Sequence, residues 1–269
     1  MPVRRTLIGL AVVLLTAALP AAAGAAANAA AGTPVGMPTA KHVSAIAVVG
    51  PLFRNGLGND HSCTASVLRS PRHDLILTAA HCVSGTGAGL LFAPGYDAGR
   101  TPYGVWTSTA AYVDPSWLRD QDPQHDYAIL RLASQLSNGR QVGVQDVVGG
   151  GSLIAPAART GQKLTVPAYP AGIDDQPIDC TVTVYRTDGY PSFDCAGYFG
   201  GTSGAPWLVA TTDHSTWLVA GVIGGLHQGG CVDYTSYSSA FSLDSYRLWL
   251  RAALGLPPDR LPVAGSDGC

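Results

Sequence analysis

Apolar residues in this chain fall mostly in short runs separated by turn signals, not at helical spacing. AIAVVGPLF, CTASVL, LILTAAHC, GVWTSTAAYVD and YAILRL, all between residues 45 and 132, alternate or run continuously apolar. That is the pattern of half-buried and fully buried strands, and these five read as the strands of a first barrel. After Leu132 the pattern breaks into SNGRQVGVQDVVGGGSLIAP, a Gly-rich crossing segment. It resumes as a second set in KLTVPAYP, DCTVTVYR, APWLVA and TWLVAGVIGG. Near the end, Leu243, Tyr246, Leu250 and Ala253 keep a 3.6-residue period, with Gly255 and Pro257 as stop signals. They predict one C-terminal helix, packed on the second strand set.

The N-terminus follows a different rule. Arg4 and Arg5 precede an apolar run from Leu7 to Leu19, then Pro20 and a tract of alanines. This is the layout of an export signal, and the run is shorter than the roughly 20 residues a membrane span needs. Ala21 with Ala23, or Ala25 with Ala27, satisfies the small-residue cleavage pattern. Residues 1–27 are thus read as a signal peptide with its cut site open, and residues 28–42 as a short pro-segment or flexible N-terminus.

Composition narrows the class. Thirty-three Gly and 19 Pro favour an all-β fold of many strands and turns, and 46% hydrophobic residues can fill a sizeable core. Sixteen basic against 18 acidic residues leave no footprint for nucleic acid or an anionic membrane. Neither is expected as a partner, and the mature chain is expected to be a secreted monomer without stable membrane association. All six cysteines lie beyond the export signal, so disulfides are expected. No C-x-x-C or H-x-x-x-H pair occurs, so neither a metal nor a cofactor is expected.

Three motifs carry candidate chemistry: LTAAHC around His81, HDYAIL around Asp126 and GGTSGAPW around Ser203. A serine hydroxyl attacks only when a neighbouring base takes its proton. His81 is the candidate base, and later the acid that protonates the leaving amine. Asp126 would orient the imidazole and stabilise its charged form. Ala128, Ile129 and Leu130 place Asp126 at the start of a buried strand, where a carboxylate needs a hydrogen-bonded partner. The chain order His, Asp, Ser differs from the Ser, Asp, His order of α/β-hydrolases and disfavours a secreted esterase of that fold.

These motifs resemble the chymotrypsin-like (trypsin-like) serine peptidases, in particular the secreted bacterial branch that includes the glutamyl endopeptidases. The likeness runs from about Val43 to about Leu254. It rests on Thr78 to Cys82, on Asp126 with Ala128 to Leu130, and on Gly201, Ser203, Gly204 and Pro206. It implies an all-β fold of two six-stranded antiparallel β-barrels with the active site between them and a C-terminal helix. The divisions are then 43–140 for a first barrel with His81 and Asp126, 141–158 for the crossing, 159–242 for a second barrel with Ser203, and 243–269 for the helix and tail. It implies endopeptidase action on a polypeptide substrate through an acyl-enzyme, with the N–H groups of Gly201 and Ser203 as the oxyanion hole. It also implies a Cys63–Cys82 disulfide. Cys180–Cys195 would come next and leave Cys231–Cys269; the alternative Cys195–Cys231 would clamp the two walls of the substrate pocket.

Two positions depart from the family pattern. Thr202 stands where many relatives carry the aspartate that pairs with a newly cleaved N-terminal amine, so that zymogen switch is not expected. Gly197 stands where a trypsin-like specificity acid would sit, which disfavours selection for Arg or Lys. The pocket is assigned to Gly197, Tyr198, Leu226 and His227. Either His227 binds an acidic side chain, as its counterpart does in the glutamyl endopeptidases, or Tyr198 and Leu226 make an apolar or mixed pocket; the strand site where that histidine is expected falls on Ile223. His42, His61, His73 and His214 read as solvated, and His125 as facing away from the site. The rival to an enzyme is an inactive homologue that acts as a secreted binding or regulatory protein.

Overall fold

The computed structural model describes residues 32–172, 174–211 and 216–269, together with Met1 and Val3. Almost all of the expected export signal, and His214, lie outside the described residues. The chain divides into Met1–Ala31 and Gly32–Cys269, and every described strand and helix belongs to the second unit.

The first strand set closes into a six-stranded antiparallel barrel in the order Val49–Phe53, Cys63–Leu68, Leu75–Thr78, Ala128–Leu132, Trp106–Val113, Leu91–Phe92 and back to Val49–Phe53. The first three strands are buried at every residue, which is why they read as continuous apolar runs. Trp106–Val113 instead exposes Thr107 and Thr109 and alternates. Leu91–Phe92 escapes a pattern reading because two residues establish no period, yet it closes the barrel.

The second half is mostly β as well, with different pairing. One five-stranded sheet runs Leu153–Ile154, Trp217–Val222, Pro206–Ala210, Lys163–Thr165, Thr181–Thr183; a separate three-stranded sheet joins Tyr185–Thr187, Tyr190–Asp194 and Thr235–Tyr237. Val184 N still donates to Gln162 O at 2.9 Å, in register with the first sheet, and from Tyr185 the chain pairs in the second, so the strand expected to be continuous is divided between two sheets. Leu164, Val182, Phe193, Trp207 and Ile223 form the core of this half. The crossing segment carries a hairpin, Gln135–Ser137 with Arg140–Val142, and a short helix, Val144–Val148. Pro38 to Val43, spanning the end of the stretch read as pro-segment or flexible, is fastened to the second half: Ala196 N donates to Pro38 O, Ala40 N to Ala196 O and Val43 N to Pro177 O.

The C-terminal helix forms over Leu243–Ala253, with Ser242 Oγ accepting Asp244 N at 3.1 Å. Its packing corrects the sequence reading. Leu243, Tyr246 and Leu250 are 60%, 50% and 41% exposed, whereas Leu248, Ala252 and Ala253 are buried. The helix lies against Trp106–Val113 and Ala128–Leu132 of the first barrel, not on the second strand set. Arg131 donates to Ala252 O, and Trp249 Nε1 to Arg69 O. These anchors turn Leu243, Tyr246 and Leu250 of the chosen stripe outward and leave Ala253, its fourth member, buried.

Candidate active site

His81 stands at a break between strand and turn. Leu75–Thr78 delivers the chain from the barrel, Ala79 stays extended, and Ala80–Cys82 makes one 3₁₀ turn. The Cys63–Cys82 disulfide ties that turn to the head of the preceding strand, Cys63–Leu68. Asp126 follows the 3₁₀ turn Pro123–His125, whose start is capped by Asp122 accepting Gln124 N at 3.0 Å. His125 does not line the cleft that holds His81, and it sits on a turn and not on an extended strand; its Nδ1 pairs with Asp122 Oδ2 at 2.8 Å.

The Asp126 side chain is completely buried, and three donors satisfy its carboxylate. His81 N reaches Oδ1 at 2.9 Å, while His81 Nδ1 at 2.7 Å and Gly225 N at 2.9 Å reach Oδ2. A carboxylate cannot donate, so Nδ1 carries the imidazole proton and Nε2 is left as the acceptor. Asp126 N in turn donates to Ser239 Oγ at 3.0 Å. The sequence reading missed Gly225 and Ser239, because a backbone N–H and a common serine carry no motif.

Ser203 is half-buried and lines one cleft of about 420 Å³ together with His81. Thr64 N donates to Ser203 O at 2.7 Å, and Gly204 N to Ile223 O at 2.7 Å, so the turn is fastened to both halves. Gly204 has φ 81°, and a Cβ there would meet Thr78 Oγ1 at 2.2 Å and Thr64 O at 2.4 Å. Gly201 has φ 92°, and a Cβ would lie 2.4 Å from Ala171 N. Replacing Gly201 would therefore disturb packing as well as chemistry. Among the described residues, neither Gly201 N–H nor Ser203 N–H donates a hydrogen bond to the protein. Thr202 is buried and donates its Oγ1 to Phe199 O at 2.8 Å, inside its own loop.

Of the pocket residues named from sequence, Tyr198 and His227 line the cleft; Gly197 and Leu226 do not. Gly197 N is spent on Asp233 O at 3.0 Å. Tyr198 donates its hydroxyl to Val166 O at 2.5 Å, and burial pushes its phenol up. Ile223, Phe199, Asp233 and Asp267 complete much of the wall. His227 Nδ1 lies 2.9 Å from the Asp267 carbonyl. A carbonyl only accepts, so that nitrogen is the donor and Nε2 of the neutral ring has no hydrogen to offer an acidic side chain. Cys180–Cys195 and Cys231–Cys269 are the remaining disulfides, and the alternative Cys195–Cys231 does not form. The readings of two solvated histidines hold, with His42 exposed and His73 41% exposed beside Asp146. His61 does not fit: it is 2% exposed, enclosed by Phe53 and by Tyr169, Pro170 and Asp175, the last three more than a hundred positions away.

A family model described as trypsin-like peptidase domain matches residues 63–220, a span that holds His81, Asp126 and Ser203. No significant match exists among curated proteins. Among solved structures the fold is similar to that of the protease Anisep from Arthrobacter nicotinovorans, 23% identical with TM-score 0.65 over 81% of this chain and 100% of that one. It is also similar to the thermostable serine protease AL20 from an extremophilic microorganism, 22% identical with TM-score 0.62 over 78% and 98%. A Glu endopeptidase is 18% identical, with TM-score 0.59 over 81% and 98%. At such identities the structures speak for the fold, and the family model for the lineage: this chain belongs to the trypsin-like peptidase family of chymotrypsin-like serine proteases.

Proposed function

We propose that the chain is a secreted serine endopeptidase in which Ser203 attacks the peptide carbonyl, His81 moves the proton and Asp126 holds His81. The observation that carries this reading is the fully buried Asp126 carboxylate on His81 Nδ1. It leaves Nε2 as a base in the cleft that Ser203 shares. A buried, triply bonded carboxylate fixes the tautomer and offsets the positive charge that His81 gains in the transition state. The free N–H groups of Gly201 and Ser203 would receive the oxyanion. Attack forms the Ser203 Oγ–carbon bond and a tetrahedral oxyanion while His81 takes the hydroxyl proton. His81 gives that proton to the amine as the C–N bond breaks and leaves the acyl-enzyme; water, deprotonated by His81, then displaces Ser203, which regains its proton, and releases the acid. In this reading residues 1–27 direct export, and the two halves of the molecule flank the cleft.

Side-chain preference follows from the walls. Asp233 and Asp267 are among the lining residues and no Lys or Arg is, and His227 has its donor committed. This favours the apolar or mixed pocket over glutamate recognition. The test is cleavage of an unfolded protein substrate, with the new termini sequenced. Wild type should cut after apolar or uncharged residues and Ser203→Ala should not cut. Cuts mainly after Glu would overturn the specificity, and a folded, inert wild type would favour the binding-protein alternative.

A further inference from the structure

Behind the Gly201 loop lies a second His–Asp pair that this chemistry does not use. The His61 side chain is entirely buried, with Nε2 2.8 Å from Pro170 O and 2.9 Å from Asp175 Oδ2. Pro170 O can only accept, so Nε2–H is the donor. Among the described residues His61 Nδ1 and Asp175 Oδ1 are buried without a partner. The ring stands edge-on to Phe53 and Tyr169, at 5.8 and 6.2 Å between centroids. Its Cε1 would lie 2.9 Å from a Cβ on Gly201, so it presses on the backbone of the loop.

The consequence passes through two peptide groups. No described peptide bond is cis, and in a trans, planar peptide the C=O and N–H point in opposite directions. His61 grips the C=O of the Pro170–Ala171 peptide, and the N–H of that same peptide donates to Gly200 O at 2.5 Å. Gly200 C=O in turn shares its peptide with Gly201 N–H. Fixing the carbonyl toward Ala171 therefore turns the Gly201 N–H the other way, and the aligned peptide dipoles polarise one another. A Cβ on Gly200 would touch nothing within 4 Å, so side-chain packing at that residue does not orient this peptide, and among the described residues its carbonyl's backbone hydrogen bond is the one from Ala171 N.

We propose that His61 and Asp175 are positioning residues that aim the Gly201 N–H at the oxyanion, acting through the Pro170–Ala171 and Gly200–Gly201 peptides; this rests on Ser203 being the nucleophile. His61→Phe keeps the edge-on ring and removes the donor. It should lower kcat roughly 10- to 100-fold, up to the loss typical of a missing oxyanion donor, with KM within about threefold. A peptidyl trifluoromethyl ketone, whose adduct carries an oxyanion, should lose affinity by the same factor, while a non-covalent product peptide should not. His61→Gln, which keeps an N–H donor, should recover part of the loss; Asp175→Ala should fall between, and serves if His61→Phe does not fold. Wild-type kcat and ketone affinity in a folded His61→Phe protein would overturn the proposal, as would equal weakening of ketone and product. If wild type hydrolyses nothing, the Ser203 reading fails separately. The crystal structure of His61→Phe then decides: a turned Gly200–Gly201 peptide supports the positioning role and an unmoved one refutes it.

Discussion

Thr64 donates its backbone N–H to the carbonyl of Ser203 at 2.7 Å. A barrel strand of the first half thus holds the residue proposed as nucleophile in the second. The Thr64 side chain adds two more ties: its Oγ1 donates to Gly201 O at 3.0 Å and accepts Tyr169 N at 3.0 Å. Its carbonyl accepts Thr78 Oγ1 at 2.8 Å, three residues before His81.

Thr64→Val keeps shape and burial but strands the Gly201 carbonyl and the Tyr169 N–H in the interior. The expected cost is about 2–4 kcal/mol from two unsatisfied groups, read from denaturant unfolding. Because one of the freed groups belongs to the peptide after Gly201, kcat should fall more than KM rises. A stability change below about 0.5 kcal/mol would contradict this role for Thr64.

Asp126→Asn tests the carboxylate's three donors. An amide can satisfy only some of them and turns its own N–H₂ toward another donor, which disturbs the His81 tautomer. Steady-state kinetics should show kcat reduced roughly a thousandfold to ten-thousandfold with KM little changed.

Gly204 and Gly200 form a matched pair. Gly204→Ala drives a Cβ into Thr78 and the Thr64 carbonyl at a left-handed φ, and should cost at least about 3 kcal/mol. Gly200→Ala meets open space and should leave the melting temperature within a few degrees of wild type. Equal effects would mean that the close approach between the halves is not what Gly204 serves.

The C-terminal tail closes one side of the cleft. Its last residue is bonded to Cys231, and Gln228 Nε2 donates to Gly265 O at 2.8 Å. Cys231→Ser with Cys269→Ser should cost about 3 kcal/mol by relaxing the unfolded chain. It should also raise KM for peptides while sparing kcat on a small ester that does not reach the wall. Unchanged peptide KM would show that the tail contributes nothing to binding.

What the sequence disclosed was what is local. The motifs around His81, Asp126 and Ser203 are contiguous, and the barrel strands keep their period within themselves. His61 gives no such sign, because its burial comes from Pro170, Asp175 and Gly201 closing over it from the other half. The same holds for Ser239 and Gly225, which meet Asp126 only after folding. On the C-terminal helix, periodicity found the element but chose the wrong face: Arg131 and Arg69 decide which side is held to the barrel. His227 was named from the sequence and lines the cleft, while the tail carbonyl that fixes its tautomer carried no local sign.

The most direct test of the proposed chemistry is labelling with a fluorophosphonate, read by intact mass on folded wild type and folded Ser203→Ala. Wild type should gain one adduct and the variant none. An adduct on both proteins, or a folded wild type that stays unlabelled before and after limited proteolysis of its N-terminal segment, would contradict an activated serine at position 203.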